Sequence, residues 1–232
     1  MGFWVPSFRF RVLGFFINQK REITNFFLSH IASLTSQVYF YKVKRIAIFA
    51  SGNGTNAKLL IEHFESHRAA QVTLLVCNKA EAGAVRIAQE HGVETLIISR
   101  EEFFSDSSIV KKLLERGIDF IVLAGFLWLI PLPIISAFPS RIINIHPALL
   151  PKFGGKGMYG KKVHESVLES GEKESGITIH FVNENFDEGN PIAQFSCPVF
   201  PNDNPESLAK RVQELEHGHF AEVLEKILNQ KN

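Results

Sequence analysis

From Lys44 onward, short segments that are apolar at every position alternate with segments whose apolar residues recur at helical spacing. Ile46-Ala-Ile-Phe-Ala50 shows the first pattern, and Leu59, Leu60 and Phe64 show the second. A continuously apolar run is typical of a strand buried on both faces. Strands that alternate with helices pair in parallel through right-handed crossovers. The sequence therefore predicts an α/β fold with a doubly wound, mostly parallel, Rossmann-like sheet, whose ligands bind at the carboxyl ends of the strands.

The same patterns give the bounds of each predicted element. The predicted strands are 45–50, 72–77, 94–98, 119–124 and 141–145, and the predicted helices are 57–66, 80–91, 102–116 and 131–138. The last third of the chain differs, because the extended runs 177–182 and 191–199 flank a polar loop, 183–190. Two strands joined in this way predict an antiparallel hairpin at the sheet edge. A terminal helix is predicted from Pro205 to about Leu228.

Residues 1–43 differ in composition from the rest, since they hold eight of the 21 phenylalanines and one acidic residue, Glu22. A membrane span needs about 20 apolar residues, whereas Arg9, Arg11, Lys20 and Arg21 interrupt the first stretch. A targeting peptide fits the acid-poor composition, although no small-residue cleavage pattern stands out. We predict an N-terminal extension, 1–43, that is a leader without function, followed by a single domain, 44–232, that does not enter a membrane.

Charge and cysteine content exclude several classes of function. The formal net charge of +1 gives no bulk basic character, so nucleic-acid binding is not expected. Cys77 and Cys197 are the only cysteines and are far apart, so neither a disulfide framework nor a zinc site is encoded, and no metal is expected.

The sequence Ser-Gly-Asn-Gly-Thr-Asn at residues 51–56 lies between the first predicted strand and helix. Such a turn points backbone N–H groups and the positive end of the helix dipole at one place, which favours an anion. Gly52 and Gly54 allow close backbone approach, and Thr55 and Asn56 add polar donors. The segment predicts a phosphate site, and a tight turn that binds nothing is the alternative.

Gly52-x-Gly54-x-x-Ala57 also fits the dinucleotide-binding fingerprint, so a nicotinamide-dependent oxidoreductase is a second candidate. That fingerprint expects an acidic residue at the end of the second strand, but the chain continues there as Cys77-Asn78-Lys79. A phosphate monoester therefore fits better. Arg100 follows the third predicted strand and could hold the same phosphate or a carboxylate, or form a surface ion pair.

Asn144 and His146 stand one residue apart at the end of the fifth predicted strand, so both side chains lie on one face at the ligand-binding edge. An amide beside an imidazole can stabilise an oxyanion while a proton moves, although a lone histidine is often structural. Asp187, in the loop 183–190, could reach the imidazole and would raise its pKa. The alternative for this loop is a solvated hairpin tip.

Together the motifs at 51–56, Asn78-Lys79, Ala124-Gly-Phe126, 144–151 (Asn-Ile-His-Pro-Ala-Leu-Leu-Pro), 176–182 and Asp187-Glu-Gly189 resemble the phosphoribosylglycinamide formyltransferase family over about residues 44–220. The resemblance implies transfer of the formyl group of 10-formyltetrahydrofolate, a co-substrate, to the amine of glycinamide ribonucleotide. The products are the formylated nucleotide and tetrahydrofolate, in purine biosynthesis. The resemblance further implies that the partners are small molecules, that the protein is cytoplasmic, and that it is a monomer or a homodimer.

The resemblance assigns roles to individual positions. The catalytic residues it implies are Asn144, His146 and Asp187. The residues implied for glycinamide ribonucleotide are Gly54, Thr55, Asn56, Gln213 and Glu216. Those implied for 10-formyltetrahydrofolate are Arg100, Leu127, Trp128, Leu129, Ile130, Asn144, Asn183 and Phe186.

Two segments depart from the family. Many members have Met-Arg-Ile-Leu where this chain has Leu127-Trp-Leu-Ile130, which puts a side-chain contribution to folate binding in doubt. The run 153–162 is rich in glycine and lysine, and we expect it to be mobile and to cover the site or meet the folate tail. Methionyl-tRNA formyltransferase and formyltetrahydrofolate hydrolase are similar but carry a further C-terminal or N-terminal domain, for which little room is expected here.

Overall fold

The computed structural model describes residues 42–105 and 108–230. One compact unit begins at Val43, so the predicted extension lies outside the described residues except for Lys42 and Val43.

The sheet has seven strands in the order β3-β2-β1-β4-β5-β6-β7. Strands β1 to β5 pair in parallel, and β6 pairs antiparallel with both β5 and β7. The predicted fold class, including the antiparallel hairpin at the edge, is confirmed. The strands are β1 (Lys44–Ala50), β2 (Ala70–Cys77), β3 (Glu94–Ile97), β4 (Phe120–Leu123), β5 (Ile142–His146), β6 (Glu174–Phe181) and β7 (Pro191–Pro198).

Helices cover both faces of the sheet. They are α1 (Thr55–Phe64), α2 (Gly83–Glu90), α3 (Arg100–Ser105), α4 (Ser108–Glu115), α5 (Leu132–Ala137), α6 (Lys161–Glu169) and α7 (Pro205–Asn229). No helix of the residues described here has the length and apolar character needed to cross a membrane.

Strand β1 shows how the sequence builds two cores. Ile46 and Ile48 pack in a cluster with α1, α2, α6 and α7, whereas Ala47 and Phe49 pack in a second cluster with α3, α4 and α5. Successive side chains of a strand point to opposite faces, and all four are fully buried. The unbroken apolar run is therefore required by a sheet covered on both sides.

Two helical predictions need correction. The predicted helix 102–116 is observed as α3 and α4. Helix α6 was not predicted at all, because it is nine residues long and follows a glycine-rich run. Its buried face consists of Val163, His164 and Val167, a spacing that indicates a helix only once its start is known.

Candidate active site

The carboxyl ends of β1, β4 and β5 meet at one cavity of about 1030 Å³. In the sheet, β1 lies between β2 and β4, so the strand order changes direction at β1. The cavity lies at this switch point, where doubly wound sheets bind ligands. Two hydrogen bonds join the loop after β1 to the loop after β4. The N–H of Ser51 donates to Gly125 O at 3.1 Å, and the N–H of Leu127 donates to Ser51 Oγ at 3.2 Å.

The predicted phosphate loop, residues 51–56, lines this cavity. Gly54 precedes α1 with φ +81°, a left-handed conformation that favours glycine. A Cβ on Gly54 would lie 2.5 Å from Ala84 Cα, so the loop and the start of α2 are in direct contact. The N–H of Ala84 also donates to Gly52 O at 3.2 Å. The loop conformation is thus set by glycine and by α2, and it places the amino end of α1 at the cavity.

Helix α7 supplies polar groups opposite this loop. Asn56 Nδ2 donates to Glu216 Oε2 at 2.8 Å, and Gln213 Nε2 donates to Thr55 Oγ1 at 3.3 Å. Burial raises the pKa of Glu216 more than the Asn56 amide lowers it. Asn56 Oδ1 is buried without a hydrogen-bond partner among the described residues. Hydrogen bonds therefore connect the predicted nucleotide-binding residues of the loop with those of α7. Asn56 Oδ1 is still available to accept a hydrogen bond.

The amino end of α7 is itself held in place. Asn204 and Ser207 form a capping box, and Asp203 accepts two hydrogen bonds from Arg211, at 2.7 and 2.9 Å. The Arg211 guanidinium holds the pKa of Asp203 well below its usual range. These contacts fix the helix that carries Gln213 and Glu216.

The structure brings Asn144, His146 and Asp187 together. His146 Nδ1 lies 3.4 Å from Asp187 Oδ2, and Asn144 Nδ2 donates to Asp187 Oδ1 at 3.3 Å. Both Asn144 and His146 lie on β5, whereas Asp187 comes from the loop between β6 and β7. The loop folds over the cavity, and Asp187 adopts φ +58° there. The convergence expected from the sequence is observed, while the catalytic roles of the three residues stay predictions.

The electrostatic expectation for His146 needs correction. Burial lowers the pKa of His146 by more than Asp187 and the Phe153 carbonyl raise it. The side chain is 4% exposed, so its charged form lacks solvation. For Asp187, burial raises the pKa, but the hydrogen bond to His180 and the nearby His146 together hold it below its ordinary value.

The glycine- and lysine-rich run contacts these residues directly. His146 Nε2 lies 2.8 Å from Phe153 O, and the N–H of Gly155 donates to Asp187 Oδ2 at 2.9 Å. Residues 155–161 line the cavity. Lys161 pairs with Glu206 at the start of α7, at 2.7 Å. Lys79, Lys156 and Lys210 also line the cavity, so its wall carries several cations suited to anionic ligands.

Two histidines near the site were not found from the sequence. His180 on β6 contacts both Asn144 and Asp187, at 3.1 and 3.7 Å. His164 on α6 lines the cavity, and its buried Nδ1 has no hydrogen-bond partner among the described residues. Burial and, to a lesser extent, His146 lower the pKa of His164. The pairing of β6 with β5 would have indicated His180, whereas His164 could not be placed without α6.

The residues predicted for 10-formyltetrahydrofolate divide into two groups. Leu127, Phe186 and Asn144 line the cavity. Those that do not line it are Arg100, Trp128, Leu129, Ile130 and Asn183. The Arg100 guanidinium lies over the rings of Phe104 and Trp128, 5.1 and 5.9 Å from their centroids. Ile130 is buried in the core, and Asn183 Oδ1 accepts from the N–H of Asn185. Their roles in folate binding stay predictions.

In the part of the chain that the structure describes, no three His, Cys, Asp or Glu residues form a group that could hold a metal ion.

Comparison with known proteins agrees with the family that the sequence motifs resemble. The model of the formyl transferase family matches residues 44–224. The chain is 45% identical over 194 residues to the chloroplastic phosphoribosylglycinamide formyltransferase of Arabidopsis thaliana, covering 81% of this chain and 66% of the relative. It is 42% identical over 195 residues to the protein of the same name from Vigna unguiculata, covering 81% of this chain and 62% of the relative. The chain thus spans less than two thirds of the length of these plant proteins.

A solved structure of similar size also matches. The phosphoribosylglycinamide formyltransferase of Bacillus halodurans superimposes with a TM-score of 0.73 at 34% identity, covering 81% of this chain and 96% of the bacterial one.

Proposed function

Because the chain belongs to the formyl transferase family, we propose that it transfers the formyl group of 10-formyltetrahydrofolate to the amine of glycinamide ribonucleotide. The products are the formylated nucleotide and tetrahydrofolate, a step of purine biosynthesis. The observation that carries this proposal is the meeting of Asn144, His146 and Asp187 in the same cavity as the loop 51–56. The loop suits a phosphate, and the three side chains suit acyl transfer.

In this proposal, the phosphate of glycinamide ribonucleotide lies against the backbone of residues 54–56 and the amino end of α1. Neither Gly54 nor the other loop residues supply a cation, so helix N–H groups and the lysines of the cavity wall balance the phosphate charge. Gln213 and Glu216 lie across from the loop and are suited to hold the ribose hydroxyls or the amine. The amine then points toward β5.

Attack by the amine forms a bond between its nitrogen and the formyl carbon, and the carbonyl electron pair moves to oxygen. His146 is the donor that we assign to this oxyanion. Its Nδ1 faces Asp187, so Nε2 would exchange its contact with Phe153 O for one with the oxyanion. Asn144, expected from the sequence to share this role, already directs its amide nitrogen at His180 and Asp187.

Collapse of the tetrahedral intermediate restores the carbonyl and breaks the bond between the formyl carbon and the folate nitrogen. The ammonium formed by attack loses one proton, and the departing folate nitrogen gains one. We assign this transfer to a water that Asp187 and His146 orient, because both side chains reach the cavity. The folate rings would then lie along the apolar part of the wall, which includes Leu127 and Phe186.

The test is an assay of tetrahydrofolate release by the purified chain, followed by absorbance. We expect release that requires both 10-formyltetrahydrofolate and glycinamide ribonucleotide, with one formylated nucleotide formed for each tetrahydrofolate. Release at the same rate without the nucleotide would indicate hydrolysis and overturn the proposal. Saturable binding of NADH in place of both substrates would support the dinucleotide alternative.

The compartment and oligomeric state are part of the proposal as well. We propose a cytoplasmic enzyme that acts as a monomer or homodimer and binds no nucleic acid. The chloroplastic names of the two plant relatives give the competing location. Fractionation of the source cells, with an antibody against the domain that begins at Val43, distinguishes the two compartments.

A further inference from the structure

The loop proposed to bind the phosphate has no cation of its own. Residues 51–56 supply only backbone N–H groups, hydroxyls and side-chain amides, whereas a phosphate monoester carries a charge of about −1.5 to −2 at pH 7. A carboxyl group also lies beside the loop, since Asn56 Nδ2 donates to Glu216 Oε2 at 2.8 Å. A phosphate at this loop therefore requires a positive charge from another part of the cavity wall.

The cavity wall offers four lysines, which differ in their surroundings. They are Lys79, Lys156, Lys161 and Lys210. Lys161 is already paired, because its Nζ lies 2.7 Å from Glu206 Oε1. Lys156 follows Gly155, whose N–H donates to Asp187 Oδ2 at 2.9 Å, so its backbone lies at the end of the cavity that holds the proposed catalytic residues. Lys79 and Lys210 remain as candidates for the charge that balances the phosphate.

Lys210 lies on the same side of α7 as the residue that contacts the loop. Gln213 follows it by three residues, and helical side chains at this spacing are neighbours, with Cβ atoms about 5–6 Å apart. Gln213 Nε2 donates to Thr55 Oγ1 at 3.3 Å. Lys210 has no ion-pair partner among the described residues, and the acidic side chain one turn before it, Glu206, is held by Lys161. The ammonium group of Lys210 is therefore free to meet an anion at the loop.

The backbone that carries Lys210 is fixed in the fold. Leu208 and Val212, on either side of it in the sequence, are buried in the core. Asp203 and Arg211 hold the amino end of the helix through two hydrogen bonds. Only the flexible four-carbon stem of the lysine has to order when an anion binds. Binding of a phosphate by Lys210 thus requires no change in the helix or in the loop.

We propose that Lys210 makes the nucleotide site specific for a phosphorylated substrate, because its ammonium group forms an ion pair with the phosphate that residues 54–56 bind through N–H groups. This inference rests on the proposed function. The phosphate takes no part in the bond changes at the formyl carbon, so the ion pair is equally strong in the ground state and in the transition state. Lys210 should therefore affect KM rather than kcat, which makes it a specificity-determining residue.

The first test removes the charge and keeps the helix. Glutamine has nearly the helix propensity of lysine, so Lys210→Gln should fold normally. We expect Lys210→Gln to raise the Kd for glycinamide ribonucleotide, measured by isothermal titration calorimetry, by about 5- to 50-fold. The kcat and the KM for 10-formyltetrahydrofolate should stay within about twofold of the wild type. The loss should shrink as ionic strength rises, because salt screens an exposed ion pair.

The chain offers a matched control on the same helix. Lys226 lies further along α7 and does not line the cavity. Lys226→Gln makes the same change in net charge, so it separates an ion pair at the phosphate from a general effect of charge on an anionic substrate. We expect its Kd for the nucleotide to stay within about twofold of the wild type. An equal loss in Lys226→Gln and Lys210→Gln would overturn the inference.

A second ligand shows which part of the substrate Lys210 contacts. Glycinamide ribonucleoside lacks the phosphate, so the wild type and Lys210→Gln should bind it with Kd values within about twofold of each other. The inference would be overturned by a loss that persists with the ribonucleoside, or by a loss for the nucleotide in Lys79→Gln but not in Lys210→Gln. These binding measurements need no catalysis. A wild type that binds the nucleotide but transfers no formyl group would refute the proposed function alone, so the two failures are distinguishable.

Discussion

Substitution of Gly54 by alanine tests whether the loop 51–56, proposed to bind the phosphate, depends on its contact with α2. Gly54 adopts φ +81°, and an added Cβ would lie 2.5 Å from Ala84 Cα, 2.8 Å from its Cβ and 2.9 Å from its N. All three atoms belong to one residue at the start of α2, and two of them are backbone, so no flexible side chain can move aside. The substitution must therefore displace the loop, the helix, or both.

The expected loss of stability follows from two separate costs. The left-handed conformation costs an alanine about 1–2 kcal/mol, and overpacking in a well-packed region costs about 1–3 kcal/mol. We expect Gly54→Ala to lower the free energy of unfolding by about 2–5 kcal/mol. For a domain of this size, that corresponds to a fall in Tm of about 4–20 °C.

The chain offers a matched control two residues earlier. Gly52 has no atom within 4 Å of an added Cβ and no left-handed φ, so Gly52→Ala should change the free energy of unfolding by less than about 1 kcal/mol. Urea denaturation of the three proteins, followed by circular dichroism, gives the comparison. In the formyl transfer assay, Gly54→Ala should also raise KM for glycinamide ribonucleotide. Equal stability of the two alanine variants would refute this account of the loop.

Three further predictions concern other parts of the molecule. Asp187→Asn removes the charge that raises the pKa of His146, so the inflection of the kcat–pH profile should move to lower pH, and an unmoved inflection would contradict the pairing. Asp203 has a lowered pKa in the folded state. The stability lost in Asp203→Asn, about 1–3 kcal/mol, should therefore be constant above about pH 5 and shrink below about pH 4, as measured by urea denaturation across pH. Removal of residues 1–42 should leave kcat and both KM values unchanged, and an inactive but folded domain would show that the extension has a function.

The sheet could be predicted because runs of consecutive apolar residues mark its strands in the sequence. A strand covered by helices on both faces must be apolar at consecutive positions, and β1 and β4 are. The short helix α6 depends on different information. Its lysine-rich amino end has no side-chain cap and follows Gly160, so no signal in the sequence marks where it begins. Without that start, the inward position of His164 was not predictable.

The site was predictable where spacing within one element determines which residues meet. Asn144 and His146 share a face of β5 because strand side chains alternate. Asp187 was a conditional prediction, because its approach to His146 depends on how the loop 183–190 folds, and the eight residues of that loop do not specify this. The contacts of Phe153 O and Gly155 N with these side chains could not be derived, because backbone atoms carry no signature in the residue types.

Burial and the Asp187 carboxylate have opposite effects on the pKa of His146. Only interactions that strengthen in the transition state raise kcat, and a donor placed where the oxyanion develops meets that condition. Burial lowers the pKa of His146 although Asp187 lies 3.4 Å away. An oxyanion forming at about 3–4 Å from the ring would add about 4–6 kcal/mol of attraction to the protonated form, even with an effective dielectric constant of about 20. In the proposed mechanism, an oxyanion beside the ring would therefore favour the protonated form of His146 and oppose the effect of burial on its pKa.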